Sequence, residues 1–142
     1  MDELKEIYLT DTGRFNRLKY FKYLMLLAIF QIIVISIIET IFSDEYGYVT
    51  QTGETFSILI LIALLVPTYF ITAKREHDLG QNFLTTTLII LSLCQIYVMY
   101  DSDLFGGALS TITGLAYLIL SAYLIFKRGD VGENQYGSDP LQ

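Results

Sequence analysis

Four apolar runs, at about 20–42, 56–73, 83–100 and 107–126, divide this chain, and polar residues bound each of them. Inside the runs the apolar residues are nearly continuous, with neither a helical nor a strand period, as expected of segments that are apolar on every side. An α-helix rises about 1.5 Å per residue, so about 20 such residues cross roughly 30 Å of hydrocarbon. The pattern predicts an all-α membrane protein, a four-transmembrane-helix antiparallel bundle forming one membrane domain over 1–142. A short amphipathic N-terminal segment precedes it and an irregular C-terminal tail follows.

The few polar residues within the runs constrain the packing. Gln31 falls near the middle of the first run and Gln95 within the third, and an amide in hydrocarbon needs a partner on another helix or a water. The two can meet as a structural clamp or line a solute path. Glu39, near the far end of the first run, can snorkel to the interface or face a wet cavity. Pro67 removes one helical hydrogen bond and is expected to kink the second helix. Asn82 is placed to cap the third. Gly106, Ser110 and Gly114 recur every fourth residue, a stripe that lets another helix approach closely.

The connections fix an orientation. All nine lysines and arginines lie in the N-terminal segment, in the central polar stretch 74–82, or at Lys127-Arg128. The acidic links 43–55 and 101–106 have none, and Tyr46 and Tyr48 of the first suit an interfacial aromatic belt. By the positive-inside rule the N-terminus 1–19, the loop 74–82 and the tail 127–142 are cytoplasmic. Near the N-terminus, 10–13 reads as a turn or helix start, with Asp11 or Thr12 as cap. Phe15, Leu18 and Phe21 follow at helical spacing among Arg14, Arg17, Lys19 and Lys22, giving the amphipathic stretch ahead of the first span.

Composition agrees: 53% of residues are hydrophobic and 17% charged, against about 25% charged in a soluble domain, and mean hydropathy is +0.48. A net charge of -6 offers no basic face, so nucleic acid is excluded as a partner. The single cysteine, Cys94, lies in an apolar run and supports neither a disulfide framework nor a metal motif. The first run is too long for the apolar core of a signal peptide. The lipid bilayer is thus the predicted surrounding, with a homo-oligomer or a partner membrane protein as the contacts within it.

Candidate chemistry concentrates in Lys74-Arg75-Glu76-His77-Asp78-Leu79-Gly80, which holds the only histidine. If the second helix continues through it, Asp78 can pair with Lys74 or Arg75, and Gly80 supplies a left-handed stop. His77 beside Asp78 has the makings of an acid–base pair, and equally of a solvated ion cluster at a helix end. One histidine and one aspartate are too few for a closed zinc site, and no nucleophile or phosphate loop accompanies them, so no metal, no cofactor and no enzymatic activity are expected. Arg14, Arg17, Arg75 and His77 gathered on one face could hold a phosphate or carboxylate. The turn-rich tail 132–140 could fold over that face.

Three segments together resemble the bacterial inner-membrane family DUF805: Gly13-Arg14-Phe15-Asn16-Arg17-Leu18-Lys19-Tyr20, Arg75-Glu76-His77-Asp78-Leu79-Gly80 and Gly132-Glu133-Asn134-Gln135-Tyr136-Gly137-Ser138-Asp139-Pro140. The resemblance implies a multi-pass inner-membrane protein of uncharacterised activity. It marks Arg14, Arg17, Arg75, His77, Asp78, Gly80, Asn134, Tyr136 and Gly137 as signature positions, and Arg14, Arg17, Arg75, His77, Asp78, Asn134 and Tyr136 form the expected ligand- or partner-binding set. The chain departs from the family pattern after the central motif, where Gln81-Asn82-Phe83 replaces arginine-serine-glycine-tryptophan, and at Ser138, where proline is usual.

Overall fold

The computed structural model describes residues 2–100 and 106–141, so the acidic link 101–105 lies outside the described residues. The chain forms α1 (Asp2–Tyr8), α2 (Arg17–Ile41), α3 (Gln51–Asp78), α4 (Leu84–Tyr100) and α5 (Gly106–Phe126). Pairing of β type among the described residues is confined to two isolated bridges, Ser43 with Val49 and Asn134 with Gly137. Helices α2, α3 and α5 are long and apolar enough to cross a membrane, while α4 is shorter at 17 residues, apolar over Leu84–Val98.

Local chemistry explains the boundaries. Asn16 starts α2, its side chain accepting the Lys19 N–H at 2.9 Å. Asp11 and Thr12 belong instead to the turn ahead of it. Thr50 caps α3, accepting the Gly53 N–H. Helix α3 runs without a break past Pro67 and through the charged stretch as far as Asp78. It stops at Gly80, whose φ of +66° allows its N–H to turn back to the His77 carbonyl at 3.2 Å.

The long helices close a ring: α2 packs on α3, α3 on α4, α4 on α5 and α5 on α2, with α1 against α3. Their outer faces stay apolar and exposed, as at Ile29, Ile32 and Ile37 of α2 and Leu118 and Ile119 of α5. The buried core gathers at one end, where Tyr20, Ile71, Leu84, Leu88 and Leu124 join Ile7, Phe15 and Leu79. These side chains come from the start of α2, the end of α3, the start of α4 and the end of α5. Successive long helices therefore alternate in direction.

Away from that end, Gln95 finds its partners on α5, donating to the Ser110 carbonyl at 2.9 Å and to the Thr113 hydroxyl. Its amide nitrogen lies 3.4 Å from where a Cβ on Gly114 would stand. The small-residue stripe thus receives α4. Gln31 shares a cavity of about 250 Å³ with Gln95, but the Gln95 amide turns to α5, not to Gln31.

Helix α4 is not capped by Asn82. The Glu76 carboxylate, reaching across from α3, accepts the N–H groups of Leu84 and Thr85 and the Thr85 hydroxyl. It puts a negative charge against otherwise orphaned donors at the positive end of the helix. Glu76→Ala is expected to destabilise the folded protein by about 2–3 kcal/mol, given the usual worth of a cap and of hydrogen bonds to a charged group. Glu76→Gln, which keeps one acceptor, should lose about half as much. Reversible denaturation in detergent, followed by circular dichroism, measures both; equal stability of Glu76→Ala and wild type contradicts the capping role.

Candidate functional site

Successive residues of an α-helix project about 100° apart, so the end of α3 sends its charged side chains to different neighbours. Lys74 donates to the carbonyls of Glu6 and Ile7, near the C-terminus of α1, and its ammonium lies 5.0 Å from the Phe15 ring centroid. It does not pair with Asp78. Arg75 is fully buried. Its Nε donates to the Leu124 carbonyl at 2.7 Å, in the last turn of α5, and its Nη2 to the Lys127 carbonyl just beyond. Its Nη1 serves the Phe15 carbonyl at 3.4 Å and the Asp78 carboxylate. Glu76 faces the start of α4. Two cations therefore meet helix C-termini and one anion meets an N-terminus, each of the sign that the helix dipole favours.

Asp78 joins this layer to the tail. Its Oδ2 accepts from Arg75, and its Oδ1 accepts from Arg14 Nε at 3.3 Å and Nη2 at 3.1 Å. Arg14 then reaches three tail carbonyls: Asp130 at 2.7 Å, Gly132 at 2.7 Å and Gly137 at 3.2 Å. The Asp130 N–H returns to the Asp78 carbonyl at 2.7 Å. Such close approach requires glycine beside it, because a Cβ on Gly129 would stand 2.0 Å from Asp78 Oδ2. The two arginine side chains are 1% and 0% exposed, so a carboxylate shared between them, with backbone carbonyls around it, leaves little of either charge unpaired.

A second contact holds the tail from outside. The His77 and Tyr136 rings stack, with centroids 3.9 Å apart and planes 4° from parallel. His77 Nδ1 lies 3.3 Å from the Gly13 carbonyl, a geometry that suits an N–H at that nitrogen. Asn134 donates to the His77 carbonyl at 2.9 Å, and its side-chain oxygen accepts the Tyr136 N–H at 2.9 Å. Asp139 closes the turn by accepting N–H groups from Gly132 and Leu141, which hold its carboxyl below the usual range.

The sequence-derived set thus divides. Arg14, Arg75 and Asp78 form one buried ion network; His77, Asn134 and Tyr136 form a clasp beside it. His77 turns to Gly13 and Tyr136 while Asp78 turns to two arginines. Arg17 stands apart, exposed, making one long hydrogen bond of 3.5 Å to the Phe126 carbonyl. With Asn16, Arg128 and Asp139 it lines a cavity of about 430 Å³. Sequence reasoning missed the capping by Lys74 and Glu76 and the parts played by Gly129 and Asp130. A glycine–acid pair directly after Lys127-Arg128 was the one available signal. Among the described residues, no group of three or more histidine, cysteine, aspartate or glutamate side chains could hold a metal ion.

Residues 8–138 match the family model described as Protein of unknown function (DUF805). Comparison with curated proteins and with solved structures gave no match.

Two outcomes follow from the network. Arg75→Ala should cost about 3–5 kcal/mol, since it leaves a buried carboxylate short of a partner, and Arg75→Ala/Asp78→Ala should cost less than the two single losses added. Strict additivity in a denaturation cycle contradicts their coupling. Arg14→Ala removes charge-assisted bonds each worth about 1.5–3 kcal/mol, so opening of the tail should rise at least about tenfold. Faster tryptic cleavage after Arg128 in the native protein reads this directly; an unchanged cleavage rate shows that Arg14 does not hold the tail.

Proposed function

From the premise that this chain belongs to the DUF805 family, we propose that it is a multi-pass bacterial inner-membrane protein that acts by binding at its cytoplasmic face, not by catalysis. In this reading α4 is the fourth span. Its 17 residues rise about 25 Å, a modest shortfall that a bilayer meets by local thinning. The N-terminus, the turn after α3 and the tail share the cytoplasmic side, where all the lysines and arginines lie.

One observation carries the reading: the Arg14 guanidinium makes five hydrogen bonds, all to acceptors of this chain, which matches its five donors. A guanidinium so occupied orders a surface. It is poorly suited to stabilising a reaction, and Asp78, held by two arginines, is poorly suited to serving His77 as a base. What is left is a tail locked into a rigid cytoplasmic cap, pre-organised to meet a partner protein, a lipid headgroup or a small anion, with the clasp of His77, Asn134 and Tyr136 on its surface. A channel or transporter oligomer is the second reading, favoured by the cavity that Gln31, Thr68, Ser92, Gln95 and Tyr117 line between the helices. Solute flux in liposomes above that of empty vesicles would support it.

Labelling tests the orientation. In a Cys94→Ala background, Tyr46→Cys should react with an impermeant maleimide on intact cells, and Ser138→Cys only after permeabilisation. Labelling of position 138 from outside removes the cytoplasmic cap and the binding reading with it. His77→Ala, expected to fold while weakening the clasp, should change which molecules copurify with the protein; an unaltered set counts against binding at this face.

A further inference from the structure

We propose that the cavity between the start of α2 and the end of α5 binds the phosphoethanolamine group, a phosphate joined to a primary ammonium. This rests on the binding reading above and gives that face a ligand. The cavity, of about 430 Å³, is of ligand-site size. Arg17, the first residue of α2, and Arg128, two residues past α5, line it with exposed guanidiniums. Both stand where apolar helices end, the depth at which a bilayer carries its phosphates. Guanidiniums suit this task because their paired N–H donors match phosphate oxygens. Arg14 and Arg75 are occupied with Asp78 and with carbonyls, whereas Arg17 makes its one long bond to Phe126. Asn16 adds a polar group from the same side.

The opposite sign is present as well. Asp78, Asp130 and Asp139 line the same cavity; Asp78 is already paired with Arg14 and Arg75, which leaves the two tail carboxylates, Asp130 and Asp139, to meet a ligand. Asp130 Oδ2 lies 2.5 Å from where a Cβ on Gly80 would stand, beyond the last turn of α3. The two N–H groups donated to Asp139 favour its ionised form. A ligand with phosphate alone would meet these carboxylates unpaired, which disfavours phosphatidylglycerol and inorganic phosphate. A primary ammonium brings three N–H donors to them. A quaternary ammonium brings none and is recognised instead by aromatic cages, while the cavity lining has no aromatic ring among the described residues.

Full-length protein purified in detergent and mixed with equal amounts of phosphatidylethanolamine, phosphatidylcholine and phosphatidylglycerol tests this by native mass spectrometry. The ethanolamine lipid should be retained about tenfold over each of the others, the discrimination of one charge-assisted hydrogen bond. Arg17→Gln/Arg128→Gln should bring retention of all three to the detergent background, and Asp130→Asn should shift preference toward phosphatidylglycerol. Tail protection from chymotrypsin at Tyr136, a site that both variants keep, shows that they fold if it is unchanged. Free O-phosphoethanolamine that displaces the lipid at equal concentration identifies a soluble source of the group; failure to displace it identifies the lipid. Equal retention of the three lipids, preference for phosphatidylglycerol in the wild type, or retention unaffected by the double substitution overturns the proposal. Those results would leave the binding reading standing, since its own tests are orientation and the His77→Ala variant.

Discussion

A charge taken out of water must be met by opposite charge or by aligned dipoles. The end of α3 meets that demand for three consecutive residues at once. Lys74 and Arg75 point at the carbonyl ends of α1 and α5, and Glu76 points at the amide end of α4. Every one of these termini has backbone groups without intrahelical partners. The buried charges and the helix ends therefore solve one another's problem, and the assembly of four helices at this end depends on that exchange.

The consequence is an uneven core. Membrane helices gain little from hiding apolar side chains from equally apolar lipid, and along much of α2 and α5 those side chains stay on the outer surface. Close packing is instead concentrated at the polar end, where Arg75, Lys74 and Glu76 rank with Tyr20, Ile71 and Leu124 among the largest fully buried side chains. Toward the other end Gln95 repeats the device on a small scale, tying α4 to α5 through Ser110 and Thr113.

Asp78 extends the same logic into the tail. Because it lies one turn from Arg75 and also faces Arg14, it draws the first cationic segment and the last irregular one onto the end of α3. Three stretches far apart in the chain become one surface, and the clasp of Tyr136 on His77 covers it. Arg17 and Arg128 stay outside this closed arrangement and line the cavity beside it.

Long unbroken apolar runs and the sorting of cations into alternate connections are one-dimensional properties, so the helical class, the family pattern and the stop at Gly80 could all be read from residue order. Partners chosen across the chain could not. Spacing alone made Lys74 as good a mate for Asp78 as Arg75, made Asn82 the obvious cap of α4, and left Gln31 facing Gln95. Folding sent Lys74 to α1, replaced Asn82 with Glu76 and turned Gln95 to α5. The reason is that a buried polar group takes whichever complementary terminus or amide the packed helices bring within about 3 Å, and that proximity arises only once the helices have come together.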